Sequence, residues 1–193
     1  MESLALFALV ATITPGGATT LTTASGARFG FRRSVPLMAG IAVGLGTLAA
    51  AAAAGLAGVL LAFPALQTGM KIVGSAYLLW LAWQIASAGR PTGGAGPQNP
   101  TSFLGGALLL WLNPKGWAMA FGAAASFAML AADPLRLGLL LGLTFALSAG
   151  ISLTLWCLAG LMLARLLRSD RHWRLVNAGL GLLLALSILP MWR

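Results

Sequence analysis

Leu110-Trp111-Leu112-Asn113-Pro114-Lys115-Gly116-Trp117 puts an ammonium, a carboxamide and a proline into an otherwise apolar stretch. From Phe103 to Leu130 the only charge is Lys115, near the midpoint. An ammonium at the centre of a membrane helix costs roughly 2.5–3.5 kcal/mol on insertion scales, so its presence points to function. It attracts a carboxylate or another anion, or repels cations from a path. Asn113 adds a donor and an acceptor able to orient the same group. Pro114 lacks the N–H that would bond the carbonyl four residues back, so the helix is expected to kink or open beside Lys115. A lysine snorkelling to an interface is the plain alternative, although from mid-helix that reach is long.

A second interruption lies near the N-terminus. Thr14-Pro15-Gly16-Gly17, followed by Thr19 and Thr20, frees backbone groups inside an apolar segment and lets a ligand or another chain come close. Backbone amides and threonine hydroxyls there suit an anionic or zwitterionic group. A proline kink with threonines bonding back to the preceding turn is the bland counterpart. Thr47, one turn from Gly44, is the only polar side chain in the middle of its apolar stretch and is a further candidate. The candidate binding set is therefore Thr14, Pro15, Gly16, Gly17, Thr20, Thr47, Asn113, Pro114 and Lys115.

The elements that would hold these residues follow from composition. Of 193 residues, 59% are hydrophobic and 8% charged, with a mean hydropathy of +0.91. That leaves too little polar surface for a soluble globule, and an integral membrane protein is expected. The net charge of +9 does not indicate a nucleic-acid partner, because the 12 basic residues sit mostly at the edges of apolar runs. Met1-Glu2 offer no basic leader, so the first apolar segment is expected to stay in the mature protein. A single cysteine, Cys157, permits no internal disulfide or thiol pair. The only acids, Glu2, Asp133 and Asp170, fall at the ends of apolar segments. No intramembrane proton relay through a carboxylate, no metal cluster, no catalytic triad and no nucleotide loop can be assembled, so neither an enzyme nor a cofactor is expected.

Six stretches approach the roughly 20 residues needed to cross a bilayer core. They run from Leu4 to Ala24, Pro36 to Phe63, Ile72 to Ala88, Phe103 to Leu130, Leu135 to Ala164 and Leu175 to Met191. Pro36 reads as a helix start, Asp133-Pro134 as an N-cap followed by proline, and Asp170 as a cap of the last helix. Gly89 to Pro100, with four glycines and three prolines in 12 residues, reads as an irregular loop between halves. Counting basic residues in short loops gives eight on one side (Arg28, Arg32, Arg33, Arg90, Arg165, Arg168, Arg171, Arg174) against Lys71, Arg136 and Arg193 on the other. The richer side is cytoplasmic by the positive-inside rule, which places both termini outside.

The halves also resemble each other. Lys71-Ile72-Val73-Gly74 through Leu79-Trp80-Leu81-Ala82 lines up with Arg174-Leu175-Val176-Asn177 through Leu182-Leu183-Leu184-Ala185. Thr14-Pro15-Gly16-Gly17 and Asn113-Pro114-Lys115-Gly116 occupy corresponding places. The expected fold is an all-α integral membrane protein in one transmembrane domain, 1–193. Six helices form a 3+3 inverted-topology repeat, 1–88 and 101–193 joined by 89–100, with the first and fourth helices broken at proline. Paired breaks of this kind mark a substrate site at the midplane. Gly40, Gly44 and Gly46 with Gly138 and Gly142 make small-xxx-small spacings, expected to serve close packing within the fold or in a homodimer.

Several segments together resemble the LysE/RhtB type of amino-acid exporters. These are Thr14-Pro15-Gly16, Ser25-Gly26-Ala27-Arg28-Phe29-Gly30-Phe31-Arg32, Gly40-Ile41-Ala42-Val43-Gly44, Gly74 to Trp83, and Leu112-Asn113-Pro114-Lys115. The resemblance spans nearly the whole chain. It implies a bacterial inner-membrane protein that exports amino acids or related small zwitterionic metabolites by a secondary mechanism. This chain departs from the family pattern at Gly17-Ala18, where a proline and an asparagine are common, and at Leu45, where many members carry an aspartate. A membrane scaffold, or an exporter or channel for an inorganic ion, are the alternatives at this stage.

Overall fold

The computed structural model describes residues 2–56, 63–89, 98–167 and 169–192. Most of the expected loop between halves, and Arg90, Arg168 and Arg193 from the charge count, lie outside the described residues. The described residues form eight α-helices: α1 (Glu2–Ile13), α2 (Gly17–Phe29), α3 (Phe31–Ala51), α4 (Pro64–Ala86), α5 (Phe103–Trp111), α6 (Pro114–Ser126), α7 (Pro134–Leu166) and α8 (Asp170–Leu186). No strand occurs among the described residues. Phe31–Gly55 and Pro134–Leu166, of 25 and 33 residues, are each long and apolar enough to cross a membrane. Glu2–Ile13 and Gly17–Phe29 pass the same test together, bent by 61° at the break between them.

Local chemistry sets the helix ends. Asn113 caps α6, its side chain accepting the Lys115 N–H at 3.0 Å, with Pro114 in the first turn. Asp133 caps α7 by accepting from the amides of Leu135 and Arg136, as its sequence predicts. Three expected starts shift. Pro36 stands inside α3, because Gly30 at φ 79° separates α2 from α3 with one residue and lets the next helix begin at Phe31. Ser169, accepting from His172 N–H, caps α8, and Asp170 occupies the first turn beside it. α4 begins eight residues before the expected Ile72, since Pro64 provides a ready first turn. α8 stops at Leu186, and a short 3-10 turn, Leu189–Trp192, follows.

Glycine fixes how closely the helices pack. α3 and α7 run antiparallel with Gly46 and Gly142 opposed: a Cβ on Gly46 would lie 2.8 Å from the Gly142 carbonyl, and one on Gly142 3.0 Å from that of Gly46. Gly40 and Gly44 seat α3 against the backbone of Phe103 and Ala107 in α5. Gly26 and Gly160 seat α2 against α7 at Cys157 and Thr23. The glycines expected to serve either the fold or a homodimer are thus taken up by contacts inside the chain. Phe145, Leu37, Ile41, Leu48, Leu141 and Leu153 fill the core between them. Leu135, Leu139, Leu143, Leu147, Ile151 and Leu155 form an exposed stripe along α7, an apolar face suited to lipid.

Candidate functional site

The two interruptions meet. Lys115 Nζ donates to the carbonyl of Thr14 at 2.9 Å and to that of Pro15 at 3.4 Å, across about a hundred residues of sequence. A Cβ on Gly16 would sit 3.1 Å from the same nitrogen, so the glycine makes room for the ammonium. The lysine is therefore bonded inside the protein. With no acid in its segment, the ammonium takes backbone carbonyls as its partners.

Those carbonyls are free because α1 ends there. The last carbonyls of a helix have no intrahelical partner and carry the negative pole of its dipole. Here side chains from the second half take them in turn: Ser152 Oγ donates to Thr12 O at 2.8 Å, Trp156 Nε1 to Ile13 O at 3.2 Å, and Lys115 to the next two. A hydrogen bond involving a charged group is worth about 1.5–3 kcal/mol, enough to offset much of the insertion cost of the ammonium.

The start of α2 is tied locally. Gly16 N–H donates to Thr19 Oγ1 at 2.8 Å, and that hydroxyl donates to Gly16 O at 2.9 Å. Thr14 Oγ1 bonds back to Val10 O at 2.6 Å, the ordinary habit of a membrane threonine. The second break has its own clamp. Trp117 Nε1 donates to Trp111 O at 2.7 Å, Trp111 Nε1 donates to Thr47 Oγ1 at 3.2 Å, and the two rings pack edge to face.

Between the breaks is a cavity of about 40 Å³. It has room for a few water molecules and is far below the roughly 300–1,000 Å³ of a ligand cleft, so the site is too small for an amino acid in this structure. Thr14, Gly16, Gly17, Asn113 and Lys115 from the candidate set line it, and the carbonyl of Pro15 adjoins it through Lys115. Pro114 opens α6 beside it. Thr20 and Thr47 are not among the lining residues, and Thr47 is held against Trp111. Thr12, Thr19, Ile41, Leu45 and Met119 also line the cavity. Thr19 has a signal in the sequence, a hydroxyl three residues after a glycine at a helix start; Ser152 and Trp156, common residues bonded 140 or more positions away, have none. Both departures from the family pattern touch the site, since Gly17, Ala18 and Leu45 lie in its wall.

The first turns of α2 and α6 face this one cavity with an ammonium between them, while the carbonyl end of α1 closes it. Helix amides and Lys115 offer positive charge, and the carbonyls offer negative charge. Among the described residues no group of three His, Cys, Asp or Glu side chains comes together to hold a metal.

Such a build, all-helical, apolar on its outside and interrupted at an internal polar cavity, is that of a membrane transport protein. A model of the LysE type translocator matches residues 9–187, and the chain belongs to that family. It is similar to the cysteine/O-acetylserine efflux protein of Salmonella typhimurium (strain LT2), at 30% identity over 179 residues, covering 92% of this chain and 90% of that protein. The cysteine/O-acetylserine efflux protein of Escherichia coli (strain K12) is 30% identical over 180 residues with the same coverage. No solved structure matches the chain. The chain is a multi-pass protein of a bacterial inner membrane and a translocator, not an enzyme.

Proposed function

We propose that this protein is a secondary transporter that exports small zwitterionic amino acids from the cytoplasm, holding them between the α1/α2 and α5/α6 interruptions. The single observation that carries the proposal is the bond from Lys115 Nζ to Thr14 O at 2.9 Å, an ammonium lodged on the carbonyl end of a broken helix. An amino acid brings an ammonium of its own. Substrate binding exchanges partners: the substrate ammonium takes the Thr14 and Pro15 carbonyls, and the released Lys115 pairs with the substrate carboxylate beside the first turns of α2 and α6. Each charge leaves with a partner, so neither is stranded in the membrane. The relatives named for cysteine and O-acetylserine efflux support a small substrate, as does a wall built from Ala11, Leu45, Ala149 and Leu153.

Alternating access follows from a 3+3 inverted repeat, 1–88 and 101–193 joined by 89–100 in one transmembrane domain of six spans. Support comes from the pairing of corresponding elements: α3 with α7, and α4 with α8, where Gly181 abuts Ala82 and Ala86. One repeat rocks against the other about the shared cavity, opening it to each side in turn. Both termini face outward. Arg28 bonds Gly89, Arg33 bonds Gln98 and Asn99, and Asn177 bonds Ala88, which gathers the arginine-rich loops at one end.

Purified protein in liposomes preloaded with labelled O-acetyl-L-serine tests this. Efflux above protein-free liposomes is expected. No amino-acid movement contradicts it and leaves a scaffold, and chloride or cation flux without amino-acid flux leaves an ion pathway.

A further inference from the structure

A second cavity, with polar groups set in a largely apolar wall, lies on the same face of α2. Gly17 lines the Lys115 cavity, while Leu21, Ala24, Ser25 and Arg28 line another of about 50 Å³. The spacing from Gly17 to Leu21, to Ala24 and Ser25, and to Arg28 is that of one helical stripe. Leu78 and Leu184 abut Gly17, and buried Leu21 lies one turn further along with Leu81 and Ile85, so apolar side chains separate the two spaces.

The second space is built around a cation and amides. Arg28 is half-buried there, Nη1 donating to Gly89 O at 3.1 Å, with Gln84, Asn99 and Asn177 in the same wall. Asn177 Nδ2 donates to Ala88 O, so the carbonyls at the end of α4 are held by an arginine and a carboxamide. At the other cavity, carbonyls at the end of α1 are held by a lysine. Gln84, Asn99 and Thr101 also line a groove between α4 and α5, so the Arg28 cavity adjoins the surface at the arginine-rich end.

We propose that the Arg28 cavity is a second binding site of the transport path, where the carboxylate of an amino acid coming from the arginine-rich end first pairs before passing Leu21 to Lys115. Arg28 releases Gly89 O and takes the carboxylate through its fork of N–H groups, a geometry that an ammonium cannot copy. Gln84 and Asn177 present amide donors and acceptors to the rest of the substrate. The site rests on the proposed amino-acid transport, and adds a residue that acts before Lys115.

Two measurements test it. In liposomes, Arg28→Gln is expected to raise the half-saturating concentration of O-acetyl-L-serine about tenfold or more, the scale of one lost charge-assisted pair, with the maximal rate within about twofold, and Arg28→Lys is expected to recover only part of this. In detergent, Ala24→Cys in a Cys157→Ala background is expected to be shielded from N-ethylmaleimide by O-acetyl-L-serine, and Arg28→Gln in that background to abolish the shielding. The binding assay does not depend on transport. A role for Arg28 confined to clamping Gly89 leaves shielding unchanged and lowers the maximal rate instead. If the unsubstituted protein transports, and half-saturation and shielding are unaffected by Arg28→Gln, the Arg28 site is overturned alone. No transport and no shielding in the unsubstituted background overturn both this site and the proposed function.

Discussion

Lys115 can be carried inside an apolar protein because a helix has been opened to receive it. Pro15 cannot donate a backbone N–H, Thr14 and Pro15 keep carbonyls outside any helix, and Gly16 leaves the space for the ammonium. Thr19 completes the arrangement by exchanging hydrogen bonds with both backbone groups of Gly16. Removing that hydroxyl costs about 1 kcal/mol of helix-start stability and loosens the carbonyl pair that Lys115 holds. Thr19→Val is expected to cut efflux of O-acetyl-L-serine several-fold with the protein still inserted, and Thr19→Ser to restore it; equal rates in all three would remove Thr19 from the site. A charge and a proline in an apolar run are conspicuous, so Lys115, Asn113 and the Pro15 break are legible from sequence. Thr20 is a candidate as a neighbour of the Pro15 break and Thr47 as the one polar side chain in its apolar stretch, and neither property tells which face of a helix the side chain takes. Ser152 and Trp156 could not be read at all, because a serine or tryptophan in a membrane helix looks the same whether or not a freed carbonyl waits beside it.

At the level of elements, short interrupted helices meet long uninterrupted ones, and glycine sets the distance between them. The spacing of Gly40, Gly44, Gly138 and Gly142 announces close packing, but their partners, α5 for the first pair and α3 for the second, belong to the folded chain. A leucine at Gly40 would drive its Cβ into the Phe103 backbone, which has nowhere to go. Gly40→Leu is expected to lower stability by about 3 kcal/mol, the upper part of the overpacking range, seen as a lower midpoint of thermal aggregation in detergent. Gly150 and Gly179 have nothing within 4 Å of an added Cβ, and leucine there should leave the midpoint unchanged. Helix ends are legible where a cap stands beside proline, as at Asp133-Pro134 and Asn113-Pro114. They shift where apolarity alone set them: Gln67, Thr68 and Lys71 continue α4 outside the apolar window, since a helix can present polar residues beyond the bilayer core.

For the whole molecule, charge and cavities share one axis. The arginine-rich loops gather around the Arg28 cavity, α2 leads from there to the Lys115 cavity, and both spaces are small. With the arginine-rich end in the cytoplasm, a cysteine at Arg171 is expected to react with an impermeant maleimide only in inside-out vesicles, and one at Arg136 only in right-side-out vesicles; the reverse would invert the direction of the path. The all-helical membrane class is legible from hydropathy, whereas the burial of Leu21 arises only when α2 is packed in the folded chain. The most direct test of the central claim is efflux through Lys115→Ala in liposomes preloaded with O-acetyl-L-serine, set against unsubstituted protein at equal incorporation and equal thermal midpoint. Transport by way of Lys115 predicts that efflux falls to the level of empty liposomes. Efflux at the unsubstituted rate from a folded, inserted Lys115→Ala protein would contradict it.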